Sequence, residues 1–184
     1  MDKYSLPTST EISGIQCEFN TDYRKILYIF QALNDPDLLE DEKIIVALEL
    51  FYKTEDYKTD LDKAIKEMFF FLTMEEPSNS PKPEKKPLYD WEKDFNIIIA
   101  PINHIIGKDV RGMEYLHWWT FLNAFMEIGE CTFSTYVGIR DKLNRGVKLE
   151  KYEEKLMKDH RDAIVLKKKV DITTQALMDE ILGV

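Results

Sequence analysis

The sequence predicts a mainly α-helical fold: a bundle of about six to seven helices with a small N-terminal β-hairpin. Apolar side chains recur every three to four residues along most of the chain, which is the period of an α-helix. Alternation of apolar and polar residues is confined to the N-terminal segment. Hydrophobic residues make up 44% of the 184 residues, which is enough to bury a core. We expect residues 1–184 to form one domain, because single domains commonly contain ~100–200 residues.

The N-terminal segment predicts the hairpin. Two short strands, at residues 10–12 and 15–19, flank a Ser-Gly pair at 13–14 that is typical of a two-residue turn. A lone hairpin is marginal in water, so we expect it to pack against the helices. The apolar residues that alternate with polar ones along the second strand are Ile15, Cys17 and Phe19.

Three helices are predicted next. The first runs from Asp22 to Leu33 and ends at the Asn-Asp-Pro sequence of 34–36. The second runs from about Leu39 to Tyr52, and its acidic first turn suits the positive end of the helix dipole. The third has helical apolar spacing over 61–72, and Thr59 is the predicted cap.

The middle of the chain contains a break in helical pattern. Residues 75–87 hold four prolines among polar residues, which is typical of an exposed, flexible linker. Helix four is predicted to begin near Asp90, to be kinked or broken at Pro101, and to end at Gly107.

Helix five, predicted from about Gly112 to Gly129, is apolar on most of its sides. Such a helix lies at the centre of a core or is covered by a partner. Its polar residues form one narrow stripe, which consists of Glu114, His117, Thr120, Asn123 and Glu127.

Helix six is predicted over 132–144, and residues 147–184 form a charged C-terminal arm. The arm is predicted to contain a long helix from Leu149 to Ile181 with sparse apolar residues. We expect its removal after residue 146 to leave a folded body that no longer binds a partner.

The charge distribution favours a protein partner. The net charge is −9, which disfavours contact with a nucleic-acid backbone. Residues 140–169 nevertheless hold 11 Lys and Arg against 6 Asp and Glu. An acidic body with a basic arm suits electrostatic pairing with another protein or with a second copy of the chain. A solvated helix of mixed charge is the alternative reading.

No constellation of residues indicates catalysis, a cofactor or a metal. Glu114 and His117 match one arm of a di-iron motif, but the pattern needs two such arms. Neither cysteine lies in a redox or nucleophile motif, and no phosphate-binding glycine loop is present. We therefore expect a protein that is not an enzyme. The absence of a signal peptide and of an apolar run long enough to span a membrane predicts a cytoplasmic protein.

Two groups of residues are candidates for partner binding. Large aromatic side chains dominate the binding energy of protein interfaces. Adjacent residues point about 100° apart on a helix, so one of two neighbouring tryptophans can face the core while the other faces a partner. Lysines that share one helical face are the second candidate group. The candidates are His117, Trp118, Trp119 and Phe121 in helix five, and Lys148, Lys151, Lys155 and Lys158 in the arm.

Several motifs along the chain form a recognisable set. They are Leu6-Pro7, Thr21-Asp22-Tyr23-Arg24, a Lys/Pro linker, Tyr89-Asp90-Trp91-Glu92-Lys93-Asp94 followed by Ile97-Ile98-Ile99, then His117-Trp118-Trp119-Thr120-Phe121, and Ile139-Arg140-Asp141-Lys142. Over about residues 5–150 this set resembles a family of bacteriophage proteins named after gene product fifteen, found in tailed phages and prophages of Gram-positive bacteria. The His-Trp-Trp-x-Phe block is the most specific part.

The resemblance implies a non-enzymatic role in phage tail morphogenesis, in the cytoplasm of the bacterial host cell. It implies an assembly chaperone or adaptor that binds the tape-measure protein, the tail-tube protein or both. No site residue carries over from the family as catalytic. Two alternatives remain: a structural tail component retained in the virion, and a phage protein that binds and modulates a host defence protein.

Overall fold

The computed structural model describes residues 4–75 and 86–166 of the chain. These residues contain a two-stranded antiparallel sheet and eight α-helices, which confirms the mainly α-helical prediction. The helices are α1 (Tyr23–Leu33), α2 (Glu40–Phe51), α3 (Leu61–Thr73), α4 (Phe95–Ile106), α5 (Trp118–Met126), α6 (Thr132–Asn144), α7 (Lys151–Asp159) and α8 (Arg161–Ile164).

The described residues group into two compact units. The first unit comprises residues 4–75 and Tyr115–Thr120, and the second comprises 86–114 and 121–166. The expectation of a single domain stays a prediction. None of the described helices is both long and apolar enough to cross a membrane.

The predicted hairpin is confirmed. Strands β1 (Ser9–Ile12) and β2 (Ile15–Glu18) pair antiparallel, with Ser9 opposite Glu18. Ser13 and Gly14 join them with φ angles of 50° and 81°. Positive φ at both central residues is the geometry of a type I′ turn, whose twist matches that of the strands. Ile12 and Cys17 are buried, so one side of the hairpin belongs to the core of the first unit.

Helices α1 and α2 match their predicted bounds within a residue, but the start of α3 corrects the prediction. Thr59 is the last residue of a short 3₁₀ helix, Glu55–Thr59, and does not cap α3. The cap is Asp60, whose carboxylate accepts a hydrogen bond from the Lys63 N–H. A carboxylate is a favourable cap for two reasons. It accepts a hydrogen bond from a free backbone N–H, and its negative charge lies at the positive end of the helix dipole.

Aromatic packing fills the first unit. The rings of Phe19 and Phe51 stack with centroids 4.7 Å apart, and Phe71 approaches Phe19 at 4.8 Å. All three side chains are buried. Phe19 directly follows β2, and the other two residues belong to α2 and α3, so one aromatic cluster holds the hairpin against two helices.

Helix α4 begins later than predicted and is not broken. Residues 90–94 form a turn in which the Asp90 carboxylate accepts hydrogen bonds from the N–H groups of Glu92 and Lys93. The helix then continues through Pro101 and ends at Gly107, whose φ of 77° is the left-handed conformation typical of a helix end.

Helix α5 is shorter than predicted, since it begins at Trp118 and not near Gly112. The preceding residues are extended and pair with the segment before α1. The Trp118 N–H donates to the Thr21 carbonyl at 2.7 Å, and the Tyr23 N–H donates to the Leu116 carbonyl at 3.0 Å. The backbone groups of this segment therefore find their hydrogen-bond partners outside a helix. The predicted helical stripe is wrong at its first two members, because Glu114 and His117 precede α5.

Helix α6 has its predicted bounds, whereas the helix predicted in the C-terminal arm is interrupted. It breaks at His160, which separates α7 from α8 with a φ of −127° and a ψ of 32°. Ile164 of α8 is fully buried against Tyr136 and Ile139 of α6. The rest of the arm, from 167 onward, and most of the predicted linker, 76–85, lie outside the described residues.

This packing changes the expectation for a chain that ends at residue 146. Such a chain loses Ile164 and exposes Tyr136 and Ile139 of α6. We now expect the free energy of unfolding of the second unit to fall by more than about 3 kcal/mol, because a large buried side chain is lost and the buried Arg140 also loses two carbonyl acceptors. Thermal unfolding followed by circular dichroism measures this, and a chain that ends at residue 166 is the control. Equal unfolding midpoints for the two chains would contradict the packing.

Candidate functional site

Asp22 is the centre of a polar junction in the first unit. Its carboxylate accepts from the Arg24 N–H at 3.0 Å, which caps α1, and takes two bonds of 2.8 Å from the Arg24 guanidinium. The Leu116 N–H points at the same carboxylate from 3.4 Å. Partial burial acts to raise the pKa of Asp22, but the hydrogen bonds from Arg24 and Leu116 outweigh it and hold that pKa below its usual value. The junction therefore contains a charged carboxylate.

His117 joins three segments of the first unit. Its Nδ1 accepts a hydrogen bond from the Trp119 N–H at 3.0 Å, which caps the start of α5. Because Nδ1 is the acceptor, the proton of the neutral ring lies on Nε2, which donates to the Pro7 carbonyl at 2.9 Å. Burial lowers the pKa of His117, and the bond to Pro7 opposes that shift only in part. Both ring nitrogens are thus occupied, so this histidine is a structural connector in the fold.

The two adjacent tryptophans close the end of α3. The Trp118 indole N–H donates to the Leu72 carbonyl at 3.0 Å, and the Trp119 indole N–H donates to the Phe71 carbonyl at 2.9 Å. The last carbonyls of a helix have no partner within it. The indoles supply two of those partners, which explains why two tryptophans are adjacent at the start of α5.

The aromatic candidates are therefore mostly interior. Trp118 and Phe121 are 0% exposed and His117 is buried, so these three side chains belong to the core and not to an exposed partner surface. Trp119 is half-buried and stacks on Phe71 with ring centroids 5.8 Å apart. Of the aromatic group, Trp119 alone keeps some exposed area for a partner.

Arg140 is the centre of a second polar junction, in the second unit. Its guanidinium pairs with the Asp94 carboxylate through bonds of 2.6 and 2.9 Å. It also donates to the carbonyls of Leu88, Ala163 and Ile164, at 3.0, 2.9 and 2.6 Å. A guanidinium has five N–H groups, and each of them has an acceptor here. The Arg140 side chain is only 4% exposed, and its charge is tolerated there because every N–H donor has an acceptor.

The candidate lysines lie on the surface. Lys148, Lys151, Lys155 and Lys158 are all exposed. The opposite side of α7 faces α6, where the Lys142 ammonium bonds both oxygens of Glu153 at 2.7 and 2.8 Å. The Glu150 N–H and the Lys142 ammonium together hold the pKa of Glu153 below its usual range. Helix α7 is thereby oriented with its lysine face toward solvent.

Most of the motifs behind the family resemblance contribute residues to these two junctions. Pro7, the segment 21–24 and the segment 117–119 converge in the first unit. The segments 89–94 and 139–142 converge in the second unit through the Asp94–Arg140 pair. Both segments belong to the motif set, but the pairing of Asp94 with Arg140 was not predicted from the sequence. Arg140 follows Phe133 and Tyr136 at spacings of seven and four, which places it on the buried face of α6, and a buried cation needs a carboxylate.

Replacing Arg140 with Met tests the second junction. The substitution leaves the Asp94 carboxylate buried without its cation, so we expect a loss of about 3–5 kcal/mol in the free energy of unfolding. The matched control is Arg145→Met at the C-cap of the same helix, where an exposed pair with Asp141 is lost. The control should cost less than about 1 kcal/mol. Chemical denaturation compares the three chains, and a similar small effect of both substitutions would contradict the assignment.

Replacing His117 with Asn tests the first junction through its pH dependence. The folded pKa of His117 lies below its ordinary value of 6.5, so the unfolded chain binds more protons just below that pH. The free energy of unfolding should therefore fall as the pH falls below 6.5 in the wild-type chain. Asn keeps an oxygen acceptor for the α5 cap but cannot be protonated, so the variant should lose this slope.

Urea denaturation at a series of pH values measures the slope. The control is His104→Asn, which replaces an exposed histidine of α4 and should leave the wild-type slope unchanged. A slope that is equal in the His117 variant and the wild-type chain would show that His117 is not the proton-linked group.

One of three comparisons with known proteins, the match to a family model, supports the resemblance. No curated protein and no solved structure matches the chain. The family model described as "Bacteriophage Gp15 protein" matches residues 3–166, which include both junctions and the helices α1 to α8. The chain belongs to the bacteriophage Gp15 protein family, a family of phage structural and morphogenesis proteins.

Proposed function

We propose that this chain is an assembly chaperone or adaptor that binds the tape-measure protein, the tail-tube protein or both while a phage tail is built. Membership of the Gp15 family is the observation that carries the proposal, because it makes the chain a phage structural or morphogenesis protein. The proposed setting is the cytoplasm of a Gram-positive host that carries a tailed phage or prophage.

The use of the polar motifs supports a binding role without catalysis. At both junctions the polar side chains are fully engaged in holding segments of the chain together. His117 bonds two backbone groups, and Arg140 has an acceptor for each of its five N–H groups. Side chains that are committed in this way stabilise a scaffold, which suits a protein that presents surfaces to a partner.

Helix α7 is the proposed surface for the tail protein. Its exposed face combines Lys151, Lys155 and Lys158 with Tyr152, which is 60% exposed. A large aromatic side chain among cations suits a partner helix that carries both apolar and acidic positions. Nucleic acid suits the surface less well, because Glu154 and Asp159 are interleaved with the lysines and the whole chain has a net charge of −9.

Co-expression of the tagged chain with its neighbouring phage genes tests the proposal. We expect mass spectrometry of the purified complex to identify the tape-measure or tail-tube protein. Charge reversal by Lys151→Glu, Lys155→Glu and Lys158→Glu should lower the recovery about tenfold, because three exposed ion pairs are replaced by repulsion. The matched control reverses three exposed lysines elsewhere, Lys66, Lys86 and Lys108, and should leave the recovery unchanged.

The alternatives give different results in the same preparation. A structural tail component would be retained in purified phage particles in a fixed ratio to the tail-tube protein. A protein directed at the host would recover a host protein and no tail protein. Either result would replace the chaperone proposal.

A further inference from the structure

Helix α2 exposes an acidic stripe on the first unit. Asp41, Ile45 and Glu49 recur every four residues and are all exposed, with Ile45 at 54%. Lys43, on the same helix, is buried and pairs with Glu40, so it does not neutralise the stripe. The exposed Lys58 interacts electrostatically with Glu49, but its ammonium pairs with Glu55 at 3.0 Å. In the described residues of the first unit, acidic residues outnumber Lys and Arg by about two to one. An apolar side chain is thus held in solvent between two carboxylates.

Helix α7 exposes the complementary surface on the second unit. Lys151, Lys155 and Lys158 follow the same helical repeat, and the exposed ring of Tyr152 lies beside them. The lysine stripe is about 10 Å long and the acidic stripe of α2 about 12 Å, at 1.5 Å per residue. The two helix faces therefore match in length and are opposite in charge, and each has one large exposed apolar side chain.

We propose that α7 of one copy of the chain docks on α2 of a second copy, with the lysine stripe against the acidic stripe and Tyr152 against Ile45. The two surfaces are different, so two copies can make the contact twice in a symmetric dimer, or once in a head-to-tail arrangement that leaves one surface of each kind free. The first arrangement ends at a dimer, and the second continues to a closed ring or an open chain of copies. Exposed ion pairs contribute little individually and are screened by salt, so the association is weak and strongest at low ionic strength.

Analytical ultracentrifugation of the purified chain tests this contact, independently of any tail partner. We expect concentration-dependent dimers or larger species at about 20 mM salt, and an association constant at least about tenfold lower at about 500 mM salt. A chain that stays monomeric at low salt up to about 0.5 mM protein, above the Kd of most specific contacts, would overturn the proposal.

Two charge-reversed variants make the test specific. One is Asp41→Lys with Glu49→Lys, and the other is Lys151→Glu with Lys158→Glu. Each variant presents like charges on both surfaces, so each should be monomeric alone. An equimolar mixture should associate again, because the acidic α2 of one variant then meets the basic α7 of the other, and the reversed surfaces also match. Association of either variant alone, or failure of the mixture to associate, would overturn the proposal.

Controls separate the contact from a general effect of net charge. Lys66→Glu with Lys108→Glu, and Glu11→Lys with Asp62→Lys, change the net charge by the same amounts at exposed positions outside both stripes. We expect both control variants to associate within about twofold of the wild-type chain. A loss of association in these variants equal to that in the stripe variants would assign the effect to net charge and overturn the docking contact.

Discussion

The antiparallel pairing of residues 21–23 with residues 116–118 is the constraint on which the first unit depends. Two backbone hydrogen bonds tie the start of α1 to the start of α5, across more than ninety residues of sequence. Once this pairing exists, the Asp22 carboxylate can reach the Leu116 N–H and His117 can reach Pro7. The same pairing places both indoles at the carbonyl end of α3. This short backbone pairing thus positions the Asp22 cap, the His117 side chain that joins three segments, and the two indole donors at the end of α3.

The second unit uses a buried charge for the same purpose. Burying a guanidinium costs free energy unless all of its N–H donors have acceptors. Arg140 meets that condition by bonding to the Asp94 carboxylate and to the carbonyls of three other residues. Those carbonyls belong to the segment before α4 and to α8, so the requirement for hydrogen bonds orders both ends of the unit. In both units the most distinctive side chains hold the chain together. The exposed faces of α2 and α7 are the surfaces that we propose for recognition.

Local patterns were reliable where a helix buries one regular face. The bounds of α1, α2 and α6, and the Ser13-Gly14 turn, followed from apolar spacing and turn chemistry. The start of α5 did not, because residues 113–117 also have a helical pattern while their backbone groups find partners in a distant segment. The prediction of one continuous helix in the arm was wrong at His160 for a similar reason. The break there allows Ile164 to be buried against α6, and the charge pattern of the arm does not indicate that contact.

The sequence by itself determined the fold class, most of the helix bounds and the family, since these depend on residues close together in the chain and on motifs read in order. Only the tertiary structure decided which aromatic residues are interior, which charges are paired, and which helix faces remain exposed. Trp118 and Trp119 are adjacent and chemically alike, yet one is fully buried and the other half-buried. The difference arises because burial and hydrogen bonding depend on what a distant segment brings alongside, and a one-dimensional pattern does not contain that information.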